Sequence, residues 1–172
     1  SLKRPDKRMT QIVFTGDLFA GGDLLKYEPQ PEFIKLDKYW EADKRVVNLE
    51  NPIANRIKPA DKSTLYSDPK AVKHLVEFGV DVAVLANNHI QDLGDQGIID
   101  TIRILERNDI GHVGAGETIH QAEKPYWLSD EIALLGYCQL DERFLSGVQP
   151  ATEDTPGVNP LSWKKVNKDL EK

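Results

Sequence analysis

The sequence predicts an α/β protein with a mostly parallel sheet flanked by helices, and three observations lead there. Short apolar runs at residues 11–15, 45–49, 80–86 and 110–113 alternate with segments of helical periodicity, the rhythm of βαβ units. The run at 80–86 is almost continuous in Val, Ala and Leu, as a strand covered on both faces requires. Polar groups follow three of these runs directly, and the carboxyl ends of parallel strands are where such sheets bind ligands.

Taken in order, residues 11–15 form a strand that Gly16 breaks. Residues 27–40 are rich in Pro and charge and read as a loop holding a short helix. A second strand covers 45–49. Asp68-Pro69 opens a helix, because the carboxylate can cap free N–H groups and proline suits the first turn. Val72, Leu75 and Val76 make its apolar face, and Gly79 ends it. After the strand at 80–86, Ile98, Ile102 and Leu105 stand at helical spacing within 96–107. Further strands are expected at 110–113 and 132–137, with a brief helix at 118–123 between them. Residues 149–160 are a Pro- and Gly-bearing loop, and 161–172 a polar helix.

Composition narrows the function classes. With 172 residues, 40% of them hydrophobic, the chain is long enough to bury a core without disulfides and too apolar to stay disordered. Lys and Arg number 22 against 28 Asp and Glu, a net charge of 22 − 28 = −6, which argues against docking on nucleic acid or anionic lipid through a basic field. Cys138 is the single cysteine, so neither an internal disulfide nor a zinc site of several thiolates is expected. No run approaches the roughly 20 apolar residues of a membrane span. Residues 1–10 are basic and polar with no apolar run behind them, unlike a signal peptide.

The strand-end groups are Thr15-Gly16-Asp17, Asn48-Leu49-Glu50-Asn51 and Asn87-Asn88-His89. Neighbouring strands lie about 4.8 Å apart, so such groups can meet around an ion. Carboxylate, amide oxygen and imidazole together suit Mn, Fe or Zn. Each group also has a structural reading: a Gly-Asp turn, an ordinary exposed glutamate, and an asparagine that caps a helix with His89 in solvent. Elsewhere, His74 reads as a boundary residue of its helix, His112 as a packed or hydrogen-bonded strand histidine, and His120 as solvated. Gly114-Ala115-Gly116 lacks the third glycine and the lysine of phosphate loops and reads as a turn. Cys138 reads as core. There is no Gly-x-Ser-x-Gly elbow and no Cys/His nucleophile pair.

In order along the chain stand Phe14-Thr15-Gly16-Asp17, Asn48-Leu49-Glu50-Asn51-Pro52, and Leu85-Ala86-Asn87-Asn88-His89 with Asp92 and Gly94. Asp100-Thr101, Leu105, Gly111 and Gly114-Ala115-Gly116 follow. This pattern resembles the CapA family of poly-γ-glutamate capsule biosynthesis proteins, over residues 11–161. That family's fold is similar to the calcineurin-like metallophosphoesterases, which implies a place in a four-layer αββα sandwich. The resemblance implies a divalent-metal site of two ions, Mn, Fe or Zn. In it, Asp17, Glu50 and Asn88 would be ligands, His89 a general acid, and Asn87, Asp92 and Asn51 residues that orient the ligands.

The resemblance further implies a metal-dependent hydrolase working on an anionic cell-surface polymer or its precursor, set in the cell envelope. The alternative is a polymer-binding or assembly component without catalysis. A small-molecule substrate and a membrane-anchored synthesis complex are further partners it allows; a third reading is an inert fragment whose exposed sheet edge pairs with another copy. Two departures from the family pattern are visible. Ala20-Gly21-Gly22 stands where the family commonly has an arginine, leaving Lys26 or Arg45 to replace it. The family also continues beyond residue 161 into strands bearing further histidines and a glutamate, so residues 1–172 are expected to be one CapA-like domain cut short on its C-terminal side, inactive by itself.

Overall fold

The computed structural model describes residues 9–55, 64–140 and 147–171. Four parallel strands form the central sheet in the order β1 (Ile12–Leu18), β2 (Lys44–Leu49), β3 (Val82–Val84), β4 (Gly111–Val113). The expected α/β class with a parallel sheet flanked by helices is therefore the observed one, and it is consistent with a metallophosphoesterase-like fold.

Helix α1 (Asp37–Glu41) precedes β2, as the short helix expected inside 27–40. Before β3, Asp68 caps as anticipated: its side chain accepts from the Lys70 N–H, and Pro69 opens a 3-10 turn that runs into α2 (Val72–Glu77). Gly79 ends this helix at φ +66°, a left-handed conformation that suits glycine. Helix α3 (Gly94–Arg107) joins β3 to β4. Its Ile98, Ile102 and Leu105 are buried in one cluster with Val47, Leu49, Ala83 and Leu85, so this face of the sheet carries the main core.

The opposite face is covered differently from the sequence reading. Only Ile132–Leu134 of the expected strand at 132–137 is extended, and it does not join the parallel sheet. It pairs antiparallel with Tyr126–Ser129, a strand the sequence reading omitted. We number these two β6 (Tyr126–Ser129) and β7 (Ile132–Leu134), after the short β5 (Ala115–Gly116). Asp130 and Glu131 make too tight a connection for a crossover helix, so the pair closes as a hairpin. Leu128 of this hairpin packs on Val46 and Val82, with Ile12, Val84, Tyr126 and Leu134 around them.

Two single-residue readings also change. Val76 is 46% exposed, so the apolar face of α2 is Ala71, Leu75 and Val72. His74, expected at the boundary, is fully buried. The expected brief helix is α4 (Ile119–Ala122), capped by Thr118, whereas β8 (Gly157–Val158) lies inside the expected 149–160 loop and pairs antiparallel with β5, which takes up Ala115-Gly116 of the expected turn. Helix α5 (Trp163–Leu170) is capped by Ser162 and held by inward charges. Lys165 bonds Glu123, and the Tyr137 hydroxyl bonds Asp169 at 2.8 Å. Cys138 is buried, His120 exposed, and Gly114 a turn at φ +91°.

A candidate site at the carboxyl ends of the parallel strands

The sheet brings Asp17, Asn48 and Asn87 together, and the means is an irregularity in β1. Phe14 lies opposite Val46, yet Asp17 lies opposite Asn48, so β1 spends three residues where β2 spends two. That extra residue, at Thr15-Gly16, turns Asp17 onto the sheet face that carries Asn48; a regular strand would aim it at the opposite one. The Asn48 side-chain amide then donates to Asp17 Oδ1 at 2.6 Å. Among the described residues β1 is an edge strand, and its residues 14–17 are exposed, Asp17 among them.

Asn87 follows β3 and is buried. Its Nδ2 donates to the Leu49 carbonyl at 2.8 Å and to Asn48 Oδ1 at 3.3 Å. Its Oδ1 accepts from the backbone N–H groups of His89 at 3.1 Å and Ile90 at 3.0 Å. The asparagine thus caps a turn that presents Asn88 and His89, where the structural reading expected a helix cap with His89 in solvent, and it also reaches across to β2. Asn88 is exposed.

His89 is partly buried, and its Nδ1 lies 2.8 Å from Asp92 Oδ2. A carboxylate oxygen only accepts, so Nδ1 carries the proton, and among the described residues Nε2 is the ring's unengaged nitrogen. In the neutral ring Nε2 accepts a hydrogen bond; in the imidazolium it donates one. The same Asp92 oxygen accepts from the Leu65 N–H at 2.7 Å, which fixes the carboxylate and through it the ring.

The other expected residues sit apart from this row. Asn51 is fully buried and works as a structural tie: Oδ1 accepts from the Ala20 N–H at 3.3 Å, and Nδ2 donates to Ser67 Oγ at 2.7 Å. It anchors the loop that leaves β1. Glu50 is half-buried, and among the described residues its carboxylate makes no hydrogen bond or ion pair; its backbone N–H bonds Leu18 O at 3.1 Å. Neither cation named as a substitute for the absent arginine is free. Arg45 is held by Asp81 and the carbonyls of Tyr39 and Trp40 on the amino-end side of β2, and Lys26 pairs with Asp23 at 2.6 Å.

Among the described residues, no group of three or more His, Cys, Asp and Glu side chains is arranged to hold a metal ion. The donor chemistry of Asp17, Glu50 and Asn88 suits a hard divalent ion. The residue that site reasoning passed over is Asn48. It lay inside the Asn48–Asn51 motif, but only the extra residue in β1 reveals that it faces Asp17.

Comparison with known proteins agrees with the motifs. The family described as bacterial capsule synthesis protein PGA_cap matches residues 11–172. The PGA biosynthesis protein CapA of Bacillus subtilis (strain 168) is 30% identical over 159 residues, covering 86% of this chain and 41% of that protein. The capsule biosynthesis protein CapA of Bacillus anthracis is 32% identical over 133 residues, covering 70% of this chain and 31% of that protein. The chain thus spans less than half the length of these relatives. With nearly its whole length matched by one family and its strand-end motifs in place, the chain belongs to the bacterial capsule synthesis protein PGA_cap family.

Proposed function

We propose that this chain supplies one wall of a divalent-metal-dependent hydrolase site, in a protein that makes, trims or exports an anionic cell-surface polymer. The single observation behind this reading is the hydrogen-bonded row Asp17–Asn48–Asn87 across three adjacent parallel strand ends, with the His89–Asp92 pair on the turn beside it. The polymer class comes from the relatives, whose names carry PGA and capsule biosynthesis.

Asp17 and Asn88 would hold the ion, with Glu50 as the further carboxylate. A bound divalent ion supplies a Lewis acid that draws charge from a phosphoryl or carbonyl oxygen. The chain's own contribution is His89. Asp92 keeps its proton on Nδ1, so Nε2 accepts from an attacking group when the ring is neutral and donates to a leaving group when it is charged. Leu65 and Asn87 keep the ring and its turn in place. No residue of the described wall offers a free arginine to an anionic substrate, so substrate charge is met by the ion or by groups outside these residues.

Calorimetric titration of Mn²⁺ into this chain, beside Asp17→Ala and Glu50→Gln, tests the reading. Saturable binding that weakens at least tenfold in Asp17→Ala supports it. Absent binding, or equal binding in all three proteins, overturns it. Retention of poly-γ-glutamate without Mn²⁺ in that case supports the alternative of a docking component.

A further inference from the structure

We infer that Asn48 is the positioning residue of this site: its amide ties Asp17 on β1 to the turn that carries His89. The inference rests on reading the strand ends as a functional site, but its geometry is independent of any ion. Asn48 occupies the sheet face of Val46 and lies opposite Val84. A strand built for packing alone would continue that face with an apolar side chain. An amide stands there, and both of its ends are engaged by candidate site residues.

Its Nδ2 donates to Asp17 Oδ1 at 2.6 Å, which holds the carboxylate by one oxygen. Its Oδ1 accepts from Asn87 Nδ2 at 3.3 Å, and Asn87 Oδ1 in turn holds the backbone of His89 and Ile90. An aspartate of the same shape could accept from Asn87 but would face Asp17 with a second carboxylate. A leucine would lose both contacts. Only a neutral side chain that both donates and accepts links an acid on one strand to an amide on the next but one. Asp17 and the His89 turn therefore share one hydrogen-bonded frame, and a change at either end is felt at the other.

Nuclear magnetic resonance on this chain, free of metal, tests the inference. Asp17→Ala is expected to shift the Asn87 side-chain amide resonances, and to leave them unmoved when made in an Asn48→Ala background. Asn48→Ala by itself is expected to speed hydrogen exchange at the His89 and Ile90 amides about threefold to tenfold more than at Ile102 and Leu105 in α3. A merely structural role would speed all four amides by one factor, and that result overturns the inference. So does an Asn87 response to Asp17→Ala that persists without Asn48. Should Asn48→Ala fail to fold, Asn48→Leu fills the same space and loses both contacts, and transmission from Asp17 must vanish there too. Failure of Mn²⁺ titration would remove the hydrolase reading and leave these resonance outcomes to decide the role of Asn48.

Discussion

Replacing the buried His74 by leucine is expected to stabilise the protein, and more so in acid. His74 lies in α2 beside Leu75, fully buried, its ring centroid 6.0 Å from that of Phe78. Neither ring nitrogen has a hydrogen-bond partner among the described residues. A buried polar group left unpaired costs about 1–3 kcal/mol, and an apolar residue of similar size removes that cost. Allowing for ring packing lost against Phe78, we expect His74→Leu to gain about 1–2 kcal/mol at neutral pH. For a chain of this size, roughly 2–4 °C in Tm accompanies each kcal/mol.

The pH dependence has a definite sign. Burial holds the His74 pKa below the ordinary 6.5, Lys73 pushes the same way, and Glu28 opposes them. Unfolded chains therefore take up the proton first, and stability present above pH 6.5 is lost as pH falls towards the folded value, with a slope of at most about 1.4 kcal/mol per pH unit. Leucine has no such term. Urea denaturation of both proteins at pH 5, 6, 7 and 8 isolates the effect, because His89, His112 and His120 are common to both. The margin of the variant over the parent should widen from pH 7 to pH 5. A variant less stable at every pH, or a margin that does not change with pH, would refute the reasoning.

Two further outcomes follow from the packing. The Tyr137 hydroxyl is pushed up to about 12 by burial first and by its bond to Asp169 second, so its stabilisation holds below pH 10 and is lost as pH rises through 12. Tyr137→Phe should cost about 1.5–3 kcal/mol at pH 7 and remove the highest-pH step from a spectrophotometric tyrosine titration; an unchanged titration would disprove the assignment. Gly114→Ala would place a Cβ 2.6 Å from that of Ala86 and 3.1 Å from Gly136 Cα, at φ +91°. A loss of about 2–4 kcal/mol in urea denaturation is expected, and a change within about 0.5 kcal/mol would show that the backbone relaxes there.

Much of this protein was legible from local chemistry. A nearly continuous apolar run marked β3, because a strand covered on both faces favours apolar side chains, and a shorter one, Val46-Val47, marked β2. Asp68-Pro69 and Gly79 marked the ends of one helical segment through capping and left-handed geometry, which act within a few residues. Ile98, Ile102 and Leu105 announced the buried stripe of α3. The strand-end motifs that place the chain in its family were legible too, since loops at the carboxyl ends of parallel strands are where polar groups belong. What only the tertiary structure decided depends on partners distant in sequence. The hairpin at 126–134 was hidden because an isolated apolar triplet does not say which strand it pairs with. His74 was misjudged because one residue's place on a helix does not show what packs over it. The contact of Asp17 with Asn48 arises from one extra residue in β1 counted against β2, across 31 positions of chain. Register is a relation between two strands, and no single strand records it.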